Sequence, residues 1–151
     1  MREIEFRRDL RRRFKGWSEV YEPGIGGGTG IPDVQFMVEG ILFPVELKIG
    51  KVVGEKGLSF DLRPAQRVWH NNFFSAGGVS VVAVCHNYVG MKYNTFLIPG
   101  FIAAAWSFYR DKKYAQDTVF RIAYEEDFTK AFASVMREYD GLELKEERVR
   151  Q

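Results

Sequence analysis

Three patterns in this sequence predict an α/β fold, a mixed central β-sheet flanked by helices. Phe6, Leu10 and Phe14 recur at helical spacing. Residues 34–49 alternate apolar and other side chains on either side of Glu39-Gly40, a plausible hairpin turn. The apolar run 79–85 then follows a proline-initiated helical segment and reads as a strand buried on both faces.

The elements follow in order. Residues 3–15 predict an amphipathic helix that places its arginines away from the Phe6/Leu10/Phe14 stripe and ends at Gly16. A short strand is expected over 17–21, followed by a glycine-rich loop and strands over 34–38 and 41–49. Residues 50–62 read as a loop broken by Gly54 and Gly57. Pro64 suits the first turn of a helix whose apolar face is expected to be Ala65, Val68, Trp69, Phe73 and Ala76, with Gly77-Gly78 as its stop. A strand over 93–98, a helix over 101–109, a strand over 119–124 and a helix over 127–139 complete the series. The charged residues 143–151 are expected to fray.

The chain of 151 residues is expected to form one domain, with its chemistry-bearing motifs in 1–85 and further strands and helices in 86–142. It carries no apolar run long enough for a membrane span and no signal-peptide pattern at Met1-Arg2-Glu3, so a cytoplasmic location is expected. The single cysteine, Cys85, sits in an apolar run and reads as a buried structural thiol, which fits a reducing compartment. Net charge is only +2, but Arg7, Arg8, Arg11, Arg12 and Arg13 crowd the first helix, a patch of the kind that attracts a polyanion. The alternative is a solvated helix face.

The hairpin register brings the chemistry together. A two-residue turn at Glu39-Gly40 pairs Val38 with Ile41 and Gln35 with Pro44, at a non-hydrogen-bonded position that tolerates proline. Asp33 then lies opposite Glu46, and Lys48 shares their face. Val34, Phe36, Val38, Phe43, Val45, Leu47 and Ile49 take the other face, a core face. Two opposed carboxylates destabilise a sheet unless a cation lies between them, and hard oxygen ligands suit Mg²⁺ or Mn²⁺. Lys48 beside them would stabilise negative charge on a phosphoryl group or orient an attacking water. An ordinary salt bridge on an exposed sheet face is the alternative.

The order Gly30-Ile31-Pro32-Asp33, Val45-Glu46-Leu47-Lys48, then Gln66 in a following helix and a glycine before a valine-rich strand resembles the PD-(D/E)xK nucleases, in the VRR-NUC and archaeal-type Holliday-junction-resolvase branch. The resemblance covers roughly residues 3–85 and implies a restriction-endonuclease-like core. It implies that Asp33 and Glu46 bind the metal with the Leu47 carbonyl, that Lys48 positions the hydrolytic water and that Gln66 supports the site. A glutamate on the first helix is matched best by Glu5, with Glu3 as its competitor. Resolvase relatives often carry a serine before the aspartate, where this chain has Gly26-Gly27-Gly28-Thr29.

The function expected is therefore hydrolysis of DNA phosphodiesters by a Mg²⁺- or Mn²⁺-dependent endonuclease acting on branched DNA. A restriction-like or flap nuclease is the alternative, as is a DNA-binding module that keeps the fold without the reaction. Arg8, Arg11 and Arg12, the loop residues Gly27, Gly28 and Thr29, and Lys51 and Lys56 are expected to contact the DNA backbone. Glycines in that loop would let backbone N–H groups approach a phosphodiester beside Asp33. Cutting two strands with one small domain suggests a homodimer, with Trp106, Phe108 and Tyr109 near a candidate interface. His70 and His86 lack the partners that a zinc site requires.

Overall fold

The computed structural model describes residues 1–21, 30–53, 57–90, 92–109 and 119–150, with side chains described outside 52, 53, 57, 87–89, 106–109 and 141–150. Six strands form one mixed sheet: β1 (Ser18–Val20), β2 (Val34–Val38), β3 (Ile41–Ile49), β6 (Val81–Val89), β7 (Lys92–Pro99) and β8 (Phe120–Ile122), in the spatial order β1-β2-β3-β6-β7-β8. Only β3 and β6 run parallel; every other neighbour pair is antiparallel. The crossover between them carries a small hairpin, β4 (Lys51–Val53) with β5 (Gly57–Ser59), and helix α2 (Pro64–Ser75). Helices α1 (Glu3–Arg13), α3 (Gly100–Tyr109) and α4 (Phe128–Arg150) complete the fold.

Strand alternation divides the core in two. Val81, Ala83 and Cys85 of β6 point into one cluster with Phe6, Leu10 and Phe14 of α1 and Phe128, Phe132 and Met136 of α4. Val82 and Val84 point the other way, into a cluster with Leu62, Phe101, Ile102 and Ala103. Helices α1 and α4 thus cover one face of the sheet, and α2 and α3 cover the β6–β7 half of the other. The first core is rich in aromatic edges: Phe14, Phe36 and Phe132 meet in T-shaped pairs.

The β2–β3 register is the one the turn predicts, from Val38↔Ile41 through Gln35↔Pro44 to Val34↔Val45. Glu39 and Gly40 both have positive φ, 52° and 80°, as a type I′ turn requires. Several expectations need correction. The segment 50–62 is not all loop, because β4 and β5 pair within it and Gly57 opens a strand. The outermost helix does not stop at residue 139 or fray from 143; it continues to Arg150. Helix α1 ends at Arg13, since Phe14 is already extended.

The buried face of α2 also differs from the apolar face read from the sequence. Ala65, Val68 and Ala76 are exposed, while Gln66 and His70 are buried. The reason is what this helix packs against. Its inner face meets the polar side chains of β3 as well as the α3 core.

Candidate active site

Strand β3 outruns its neighbour. Its ladder with β2 ends at Val34↔Val45, whereas its ladder with β6 continues from Val45 to Ile49. The sheet therefore opens into a notch on the β2 side of residues 46–49. Gly50 N–H donates to the Cys85 carbonyl on the β6 side. By alternation Leu47 turns its backbone N–H and C=O away from β6, toward the notch.

A cleft of about 360 Å³ occupies this place, lined by Glu3, Asp33, Glu46, Lys48, Ile49, Asp61, Arg63 and Gln66. Asp33 stands where the chain enters β2, one residue before the ladder, and its carbonyl accepts from Tyr21 N–H. Glu46 and Lys48 come from β3, side by side on the face that carries Val82 and Val84 of β6. Glu46 is 2 % exposed. Its Oε1 accepts from Gln66 Nε2 at 2.8 Å and lies 3.8 Å from Lys48 Nζ. Its Oε2 is buried and accepts from no N–H group among the described residues.

Gln66 is held from both ends. Its Oε1 accepts the Arg63 backbone N–H at 2.9 Å, the cap of the first turn of α2. That bond needs the amide oxygen, so the amide NH₂ must face Glu46. Behind it, one turn on, His70 is fully buried, with Nδ1 2.7 Å from Ser80 Oγ.

Electrostatics follow from this crowding. Burial raises the Glu46 carboxyl to about 8, helped by the neighbouring charge of Asp33 and opposed by Lys48. Burial also raises Asp33, while Arg7, Lys48, Arg63 and a hydrogen bond with Glu46 pull it back down. His70 is pushed down to about 4 by burial and by Lys48, so its ring stays neutral near pH 7.

The glycine before Ile31-Pro32-Asp33 now has a structural reason. Gly30 has φ +75°, and a Cβ there would lie 2.2 Å from the Ala65 carbonyl oxygen. The chain passes against the first turn of α2 at a distance only glycine allows, which sets Asp33 beside Gln66 and Glu46. Gly27, Gly28, Thr29 and Lys56 lie outside the described residues, as do the side chains of Trp106, Phe108 and Tyr109.

Asp33, Glu46, Lys48 and Gln66 thus converge, and the Leu47 backbone borders the same notch. Glu5 does not join them. Its carboxylate turns back to the Arg2 backbone N–H at 2.7 Å, whereas Glu3 lines the cleft. At about 100° per residue Glu3 falls only about 20° from Leu10 around the helix, and Glu5 about 140°, an angle that separates the two in the sequence. Asp61 and Arg63 were not singled out from sequence. The signal for Arg63 was its place three residues before Gln66, at a capping-box spacing just ahead of Pro64.

The arginines of α1 divide as well. Arg11 donates to Ser18 Oγ at 3.0 Å and to the Ser18 carbonyl, and Arg12 pairs with the buried Asp9. Arg8 is exposed, as is Lys51 on β4. Arg7, one turn after Glu3, is the α1 cation whose charge acts on Asp33.

Among the described residues no group of three or more His, Cys, Asp or Glu side chains is arranged to hold a metal ion. The cleft lining carries four carboxylates, of which Asp33 and Glu46 meet closely enough to hydrogen-bond, and strand alternation turns the Leu47 carbonyl toward the same notch. That donor set fits a hard divalent cation that keeps most of its waters, as Mg²⁺ does. Comparison with known protein families, curated proteins and solved structures finds no match.

Proposed function

We propose that this protein is a metal-dependent endonuclease that hydrolyses phosphodiester bonds of branched DNA, with a PD-(D/E)xK site on a restriction-endonuclease-like core. The observation that carries the reading is the meeting of Asp33, Glu46 and Lys48 in one open cleft.

In this reading Asp33, Glu46 Oε2 and the Leu47 carbonyl hold Mg²⁺ or Mn²⁺. The bound cation supplies Lewis-acid polarisation of a phosphoryl oxygen and a more acidic water. Gln66 keeps the Glu46 carboxylate turned toward Asp33 by fixing its other oxygen. Lys48 donates to the attacking water and orients it in line with the scissile bond. Arg63, which lines the cleft, and Arg7, whose charge acts on Asp33, offset the charge of the phosphodiester as it enters. Glu3 takes the first-helix position that Glu5 was expected to fill. A homodimer with paired sites would cut both strands of a branch.

The test is a Mn²⁺ titration by calorimetry together with cleavage of labelled branched DNA. Asp33→Asn and Glu46→Gln should each lose at least tenfold in metal affinity and lose cleavage. Unchanged activity in both variants would refute the site.

A further inference from the structure

Helix α2 buries two polar side chains where a helix on a sheet ordinarily buries apolar ones. Gln66 and His70 are buried, while Ala65 and Val68 face water. Gln66 belongs to the cleft through Glu46, but His70 takes no part in the proposed chemistry. Its ring is held elsewhere. Nδ1 lies 2.7 Å from the Oγ of Ser80, the buried residue just before β6, and that is the ring's one hydrogen bond among the described residues.

A third element closes over this bond. Gly100 opens α3, and its N–H donates to the Ser80 carbonyl at 2.8 Å. A Cβ on Gly100 would collide with both Ser80 Oγ and His70 Nδ1. Burial leaves the ring neutral near pH 7. A buried imidazole costs more to desolvate than an apolar ring of the same size, so what it adds here is a directional bond.

The spacing says what that direction does. The crossover from β3 to β6 obliges α2 to run back along the two parallel strands. Gln66 meets Glu46, whose partner on β6 is Val82, and His70 meets Ser80, two residues earlier on that side. Four residues of helix rise about 6 Å, and two residues of parallel strand span about 6.6 Å. The two bonds therefore match in height and form together. Apolar packing is non-directional, so two polar bonds one turn apart, to neighbouring strands, set the roll of the helix. The cleft depends on that roll. Arg63 and Gln66 line it from the start of α2, and Gly30 passes against Ala65 on the way to Asp33.

We infer that His70 is a positioning residue: its bond to Ser80 fixes the seat of α2 on β3 and β6. It thereby holds Gln66, and the Glu46 carboxylate that Gln66 bonds, in the metal-binding geometry. The inference rests on the nuclease reading for the metal and adds to it a residue that touches neither ion nor DNA.

NMR of the metal-free protein reads the seat directly. The Gln66 side-chain NH₂, donating to a carboxyl oxygen, should show one proton displaced downfield. His70→Phe keeps a ring and removes the bond; Ser80→Ala removes it from the strand side with less disturbance to the core. Both should move that resonance toward the free-amide position. Both should also weaken Mn²⁺ binding about 3- to 10-fold, less than the loss of a group that bonds a metal ligand itself. The double variant should lose no more than either one. His70→Asn, whose amide reaches toward Ser80, should restore most of the loss. A Gln66 resonance or a Mn²⁺ affinity that stays put in folded Ser80→Ala protein would overturn the inference, as would additive losses in the double variant. The nuclease reading separates from it. Wild-type protein that binds no Mn²⁺ and cuts no DNA, with a Gln66 amide that still follows the Ser80 bond, removes the nuclease and keeps the seat. A resonance that ignores the bond, in a protein that binds Mn²⁺ and cuts DNA, removes the seat alone.

Discussion

Glu46 keeps its proton in the folded, metal-free protein up to about pH 8, while the unfolded chain releases it near 4.5. The folded state then binds more protons between those values, so stability falls as pH rises through them. His70 has the opposite sign: held down to about 4 from 6.5, it costs stability as pH falls through that range. The two oppose each other below about 6.5, and above it Glu46 is no longer opposed by His70. Metal-free protein should therefore lose stability between about pH 6.5 and 8, and Glu46→Gln should flatten that slope in urea titrations at a series of pH values. Metal binding must displace the same proton, so Mn²⁺ affinity should rise up to about tenfold per pH unit over that interval. Gln66→Leu removes both the α2 cap and the donor to Glu46, with an expected loss of about 1–3 kcal/mol. At this scale the sequence was readable where a register or a spacing fixed the side chain, as for Asp33, Glu46 and Lys48. Asp61 lacked any such periodic marker, and Glu3 needed the helix angle to be distinguished from Glu5.

Elements built by alternation and turn chemistry were legible almost to the residue. The β2–β3 hairpin was, because a period of two and one short turn leave a single register that buries Phe36, Phe43 and Val45. Helix α2 was located correctly but its buried side was not, since hydrophobic periodicity cannot see a face that packs on carboxylate and lysine. Two substitutions test the element geometry. Glu39 occupies φ 52° at the turn, where an asparagine is better suited; its ion pair with Arg137 joins side chains that are both more than half exposed. Glu39→Asn should stabilise the protein by roughly 0.5–1 kcal/mol in chemical denaturation. Gly30→Ala should cost at least about 2 kcal/mol, because it combines an unfavourable φ with a collision into the Ala65 carbonyl. A neutral result would mean that α2 does not lie against the Asp33 segment.

Across the whole molecule, a layered arrangement leaves a notch open: α1 and α4 cover one face of the sheet, α2 and α3 cover the β6–β7 half of the other, and β3 extends past β2 at the cleft. The layering was visible in sequence through the buried β6 run and the flanking amphipathic helices. The hairpin β4–β5 was not, since Gly54 and Gly57 read as breakers. No helix among the described residues is long and apolar enough to cross a membrane. If the notch holds a cation, saturating metal should raise the unfolding midpoint, by about 2.7 kcal/mol of added stability at a hundredfold excess over Kd.

The most direct measurement is cleavage of labelled flap, four-way-junction, single-stranded and linear duplex DNA with Mg²⁺ or Mn²⁺, run beside Lys48→Ala, with DNA binding followed separately in Ca²⁺. The account predicts metal-dependent cutting that Lys48→Ala abolishes while binding persists. Absence of cutting on every substrate, or cutting that Lys48→Ala leaves intact, would contradict it.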